Sequence, residues 1–107
     1  YLKEETIMAW KKVTVRTRPD VDTGFEHMSA EVLDHISTNY DDTGKRISFS
    51  IVTSEDTLVL TYTSVFKDEA SKNEVANDST ISTEAARRDS VNAANGITKE
   101  VTVDEEV

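Results

Sequence analysis

The sequence predicts an α+β domain of element order β-α-β-β-α-β, with one four-stranded antiparallel sheet and helices against one face. Three observations carry that expectation. "WKKVTVRTR" (10–18), "KRISFSIVT" (45–53) and "ITKEVTV" (97–103) alternate with the period of two that a half-buried strand requires. "TLVLTYTSVF" (57–66) has strand composition but no face made for water. The stretches between, 22–40 and 67–96, have helical spacing or helical composition.

The first strand sets Val13 and Val15 on one side and Lys12, Thr14 and Arg16 on the other. Pro19 ends it, because proline cannot donate to the ladder. The first helix is expected to start at a capping box, Thr23 with Glu26 three residues on, with Asp22 a competing cap. Phe25, Met28, Val32, Ile36 and Tyr40 then form one apolar stripe, with Leu33 beside it. "DDTG" (41–44) stops it, Gly44 taking the left-handed conformation.

The strands 45–53 and 57–66, joined by a short turn at "SED" (54–56), make an antiparallel hairpin. The following stretch breaks near Asn77–Ser79, where side chains compete for the backbone, into helices over 68–76 and 82–94. Ser82 or Thr83 caps the second of these, and Gly96 closes it. Ala85, Ala86, Ala93 and Ala94 are small enough to let this helix lie close to a sheet. The last strand leads into "DEEV" (104–107), read as a solvated acidic tail.

This is the split βαβ, or ferredoxin-like, order. In it 57–66 is a central strand, and the side opposite the helices stays open unless something covers it. Leu58, Leu60, Tyr62 and Phe66 share one face of that strand. Val59, Thr61, Thr63 and Val65 share the other and are read as the interface of a homodimer.

Composition bounds the function. The chain has 107 residues, 36% of them hydrophobic and 31% charged, which suits one domain, 8–103, with a modest core. Without cysteine there is no disulfide, thiol nucleophile or thiolate metal site. A net charge of −9 argues against general binding to nucleic acid or anionic membrane. No apolar run reaches bilayer length, so the expectation is a soluble, cytoplasmic protein. Met8 opens "MAWKKVTVRTRPD" as a natural start would, which makes 1–7 an N-terminal extension.

Four candidate sites stand out. His27, Glu31 and His35 recur every four residues, with Asp34 near the same stripe, and His–carboxylate pairs at that spacing can share a metal. The two histidines are about 12 Å apart along a helix rising ~1.5 Å per residue, so only His27–Glu31 or Glu31–His35 could act together, with ligands from elsewhere. The plainer reading is a solvated face with carboxylate–imidazole pairs. The expected metal set is therefore none, and no cofactor is expected.

Next, Phe49, Tyr62, Phe66 and Trp10 could line a pocket for a small apolar ligand between helices and sheet, with His35 or Tyr40 at its mouth. Ordinary core packing is the alternative. Catalytic candidates, if there is catalysis, are His35, Tyr40 and Tyr62. Third, Trp10, Lys12, Thr14, Arg16 and Arg18 could offer an open sheet face to RNA, but the third strand lacks the glycine of RNA-recognition modules. Pairing of Lys12 and Arg16 with Glu100 or Asp104 is the plainer use. Fourth, Arg87 and Arg88 point about 100° apart on a helix. One should pair with Glu84 or a neighbour of Asp89, leaving the other solvated. No serine sits in a glycine-flanked elbow and no glycine-rich phosphate loop exists.

The layout, and "YTSVFKDEAS" leading from the hairpin into a broken helix, resembles the dimeric α+β barrel group, which includes antibiotic-biosynthesis monooxygenase-like proteins. The resemblance implies two ferredoxin-like subunits pressing their sheets together. It lacks the histidine that the group often carries in or near the second helix. "MAWKKVTVRTRPD" and "ARRDSVNAANGIT" resemble short proteins encoded by marine phages. The expected function is a non-catalytic accessory or binding protein, homodimeric, binding neither nucleic acid nor membrane. The alternative is a cofactor-independent monooxygenase-like or isomerase-like enzyme acting on a small apolar ligand in the helix–sheet cleft.

Overall fold

Strands β1 (Trp10–Thr17), β2 (Arg46–Thr53), β3 (Val59–Phe66) and β4 (Thr98–Glu106) form one antiparallel sheet in the order β2-β3-β1-β4. The computed structural model describes residues 8–107, so the extension read at 1–7 lies outside the described residues. The helices are α1 (Ala30–Ile36), running into a π-helical turn (Ser37–Asp41), then α2 (Glu69–Asn77) and α3 (Ser79–Ala94). The fold is α+β, and its element and strand order are compatible with a ferredoxin-like layout. No helix of the described residues is long and apolar enough to cross a membrane.

The first helix starts later than expected. Thr23 caps nothing: its hydroxyl donates to Asp20 Oδ1 at 2.8 Å, within a turn that follows β1. Ser29 is the cap, its Oγ accepting from the Val32 amide. The reason lies far along the chain. Asn92 of α3, 1% exposed, accepts from the Glu26 amide through Oδ1 (2.8 Å) and donates to the Glu26 carbonyl through Nδ2 (3.3 Å). Both backbone groups of Glu26 are thus spent on a side chain and cannot enter a helical ladder.

The break at 77–79 is where expected, but its agent is Asp78 rather than Ser82 or Thr83. The Asp78 amide closes α2 on the Val75 carbonyl. Its Oδ1 accepts from the Thr80 and Ile81 amides to open α3. Gly44 and Gly96 both have φ of 77°, the left-handed stops the sequence suggested. The acidic 104–107 segment is not a free tail through most of its length: β4 continues to Glu106, opposite Trp10.

Alternation along β3 settles its two faces. Leu60 and Phe66 are buried, and Tyr62, Ser64 and Phe66 share a cavity wall with helical residues. Leu58 precedes the strand, its carbonyl accepting from the Arg18 amide. Val59, Thr61, Thr63 and Val65 point the other way and are half-buried. The densest apolar cluster lies among the helices: Val32, Ile36, Tyr40 and Ile81, with Met28 and Val75 against them. The apolar core therefore sits above the sheet rather than on it, which leaves space between the layers.

Candidate functional site

That space is a cavity of about 630 Å³. Its floor is the helix-side face of the sheet: Thr14 and Arg16 from β1, Phe49 and Ile51 from β2, Tyr62, Ser64 and Phe66 from β3. Its roof is Leu33 and Ile36 from α1, Val75 and Ala76 from α2, and Ile81, Ser82, Ala85 and Ala86 from α3. The alanines have the opposite effect to the one expected. They do not bring α3 down onto the sheet. A short side chain cannot span the gap that the helical cluster maintains, so the volume stays open.

The first strand is oriented against the reading that gave RNA an open basic face. Lys12, Thr14 and Arg16 look into the cavity. Their neighbours Val13 and Val15 therefore point to the uncovered side. Arg18, one residue past the strand, ties down the β2–β3 turn instead. Its Nε donates to the Thr57 carbonyl and its Nη2 to Thr57 Oγ1, both at 2.8 Å. Thr57 has φ of 63°, the left-handed region that a β-branched residue rarely adopts, and these two bonds hold it there.

Arg16 is the most buried charge among the described residues, with a side chain 2% exposed. It pairs with neither Glu100 nor Asp104. Glu100 stands opposite Val15 and so belongs to the other face. The partner is Asp89 of α3, whose Oδ1 accepts from Arg16 Nη2 at 2.7 Å. Asp89 Oδ2 accepts from Lys99 Nζ at 2.8 Å, and Arg88 Nε stands 3.8 Å from Oδ1. Burial pushes the Asp89 carboxyl up, but the bonds from Lys99 and Arg16 together outweigh it and hold the group below the usual carboxylate range.

Arg87 behaves as expected and pairs with Glu84, Nε donating to Oε1 at 2.5 Å. Arg88 does not end in solvent as expected. The helical turn between the two swings it into the cavity wall, where its side chain is 16% exposed. Burial, and then the nearby Arg16 guanidinium, push the Arg88 guanidinium below its usual range. Three buried polar atoms have no hydrogen-bond partner among the described residues: Arg16 Nε, Arg88 Nε and the Tyr62 hydroxyl. All three belong to cavity-lining residues. The Arg16 guanidinium carbon also lies 5.7 Å from the Tyr62 ring centre.

Of the four residues read as a pocket, Phe49, Tyr62 and Phe66 line the cavity. Trp10 is not in its wall. The Lys72 ammonium sits 5.0 Å from its ring centre, and its indole N–H donates to Asp104 at 2.6 Å. Of the three catalytic candidates only Tyr62 reaches the cavity. His35 and Tyr40 meet elsewhere, on Asp78 Oδ2, at 2.8 and 2.7 Å. Hydrogen bonds from His35 and Tyr40 lower the Asp78 carboxyl to about 2. Burial, then the bond to Asp78, push the Tyr40 phenol up to about 12. The π-helical turn is what carries Tyr40 to this meeting point, and the trio locks α1 to the α2–α3 joint.

The His27–Glu31–His35 ladder is not assembled. His27 precedes the first turn of α1 and lies on the cavity wall, while His35 is committed to Asp78. No group of three or more His, Asp or Glu among the described residues could hold a metal ion.

Asp78, Asp89 and Asn92 carry the polar architecture. Sequence reasoning placed Asp78 in a break of the helix without making it the cap, and gave Asp89 and Asn92 no role of their own. The long-range bonds of all three leave no local spacing to mark them. The local sign for Arg88 was its 100° divergence from Arg87, which requires that the two face different surroundings. Comparison of the chain with protein-family models, with curated proteins and with solved structures found no match.

Proposed function

We propose that the protein is a small homodimeric binding protein without catalysis, of the ferredoxin-like, dimeric-barrel kind, which takes a small ligand with an apolar body between its helices and sheet. The cavity carries the reading. At about 630 Å³ it falls within the ~300–1,000 Å³ typical of ligand sites, and aromatic and aliphatic side chains line it together with a set of polar and mostly basic ones. Leu33, Phe49 and Ile51, 51%, 43% and 49% exposed, give it an apolar mouth. An oxygenase-like or isomerase-like enzyme is the alternative. It is less favoured because His35 and Tyr40 are engaged with Asp78 outside the cavity wall, leaving Tyr62 the one of the three catalytic candidates that lines it.

The neutral fluorescent probe N-phenyl-1-naphthylamine tests the reading. It should bind saturably at one site per chain. Ala85→Phe, which puts a ring into the cavity, should weaken that binding at least tenfold while leaving the circular dichroism spectrum unchanged. A probe signal that never saturates, or one indifferent to Ala85→Phe, would remove the cavity as a ligand site.

A further inference from the structure

We propose that the ligand is an organic monoanion, a carboxylate on an apolar body, whose carboxylate is held by Arg88, Arg16 and Tyr62. The inference rests on the binding reading above and adds the chemistry of the ligand's head.

The charge distribution is the first ground. The chain carries 21 Asp and Glu against 12 Lys and Arg. Its cavity reverses that balance: Lys12, Arg16, Arg46, Lys72, Arg88 and Lys99 line it, with Asp89 the sole carboxylate. Arg46 is neutralised by Asp41, with Nε and Nη2 on the two carboxylate oxygens at 2.6 and 2.8 Å. Lys72 has Asp104 at 3.6 Å. Lys12 stands opposite Asp104 and, with Lys72, helps hold that carboxyl down. What remains is Asp89 facing Arg16, Arg88 and Lys99 at once. One carboxylate cannot balance those cations, and its two oxygens are already taken by Arg16 and Lys99.

Unspent donors are the second ground. A buried guanidinium normally has its N–H groups paired, since an unpaired buried charge is costly. Arg88 makes no hydrogen bond among the described residues, and the ε N–H groups of both Arg88 and Arg16 are buried and unpartnered. The Tyr62 hydroxyl shares that state, and the ring that carries it lies beside the Arg16 guanidinium. The three side chains belong to one cavity wall, and the guanidinium of Arg88, which makes no hydrogen bond there, offers the paired N–H donors that a carboxylate accepts from. The apolar remainder of the wall excludes a bare, strongly hydrated ion and requires a carbon body attached to the anion. A chain or ring carried by the carboxylate would run from the Arg88 end along Phe49, Ile51 and Leu33 towards the mouth.

Decanoate and decanol, which share a ten-carbon chain and differ in the head, separate the two levels of the reading by isothermal titration calorimetry. Decanoate should bind at least tenfold more tightly than decanol. Arg88→Met should abolish that preference, leave decanol affinity within twofold, and raise the melting temperature of the unliganded protein, because it replaces a buried cation that makes no hydrogen bond with an apolar chain of similar length. Tyr62→Phe should cost decanoate several-fold. Equal affinity of wild-type protein for the two compounds overturns the inference and leaves the apolar cavity standing. Binding of neither removes the cavity as a site and the inference with it. A decanoate preference that survives Arg88→Met also overturns the assignment. The wild-type comparison decides the matter even if a variant fails to fold.

Discussion

Asn92 shows how a single amide can decide where a helix begins. Its carboxamide replaces the ladder for one residue of the opposite segment, bonding both the N–H and the C=O of Glu26 in a site sealed from solvent. Asn92→Ala would leave both backbone groups buried without partners, at a cost of about 2–3 kcal/mol for groups of this kind. Urea denaturation should show that loss with an unchanged m-value, and Asn92→Asp, which keeps the acceptor for the Glu26 amide but loses the donor for its carbonyl, should recover only part of it. A loss below 0.5 kcal/mol in Asn92→Ala would mean that Glu26 finds other partners. None of this was legible beforehand. Asn92 and Glu26 are 66 positions apart, and asparagine near a helix end has an ordinary local explanation. Arg88 was half legible: its divergence from Arg87 was evident, but not which of the two would turn inward.

Elements were more legible than residues. Three of the four strands came from a period of two, a signal written into every second residue, and the fourth, 57–66, came from its strand composition. Boundaries failed where a long-range side chain overrode local chemistry, as at Thr23, or where pairing continued past the apolar pattern, as in β4. Asp78 unites both lessons, because the break was visible in composition and the capping residue was not. It also makes the helical layer sensitive to acid. Its carboxyl lies at about 2 in the folded protein against an ordinary 3.8. A lowered carboxylate contributes stability that is complete above the ordinary value and is lost as pH falls towards 2. The shift corresponds to a stabilisation on the order of 2 kcal/mol at neutral pH. Asp78→Asn, which can still cap α3, should therefore be less stable than wild type at pH 7, and the gap should close between pH 4 and pH 2. Urea melts across that range measure it. A gap that stays constant with pH would assign the loss to packing rather than to charge.

At the scale of the molecule, the sheet faces two different surroundings. One side holds the cavity. On the other, cross-strand rows run Val52, Thr61, Val15, Glu100 and then Ser50, Thr63, Val13, Val103. The centre of that face is apolar or threonine, with charge arriving at the β4 edge, and Val52 is 61% exposed. A homodimer pressing two such faces together is the arrangement proposed, isologous because the patch is the same on both copies. Sedimentation at micromolar concentration should give a dimer, and Val59→Asp or Thr63→Asp should give a folded monomer. A wild-type monomer, or a dimer indifferent to both changes, would place any interface elsewhere. That neither face of β3 is made for water was legible from the outset. Which face meets the helices was not, because alternation states that two faces differ without stating which one is covered.

Ala85 and Ala86 have a consequence that reaches past this one chain. They bound the cavity from a helix whose anchoring is done by other residues, Ile81 in the helical cluster and Asn92 on Glu26. The dimensions of the cavity are thereby uncoupled from the anchoring of the helix. If the cavity takes the ligand proposed above, a lineage carrying this arrangement could enlarge those two side chains one step at a time and so select shorter ligands, without altering the basic cluster proposed to hold the head.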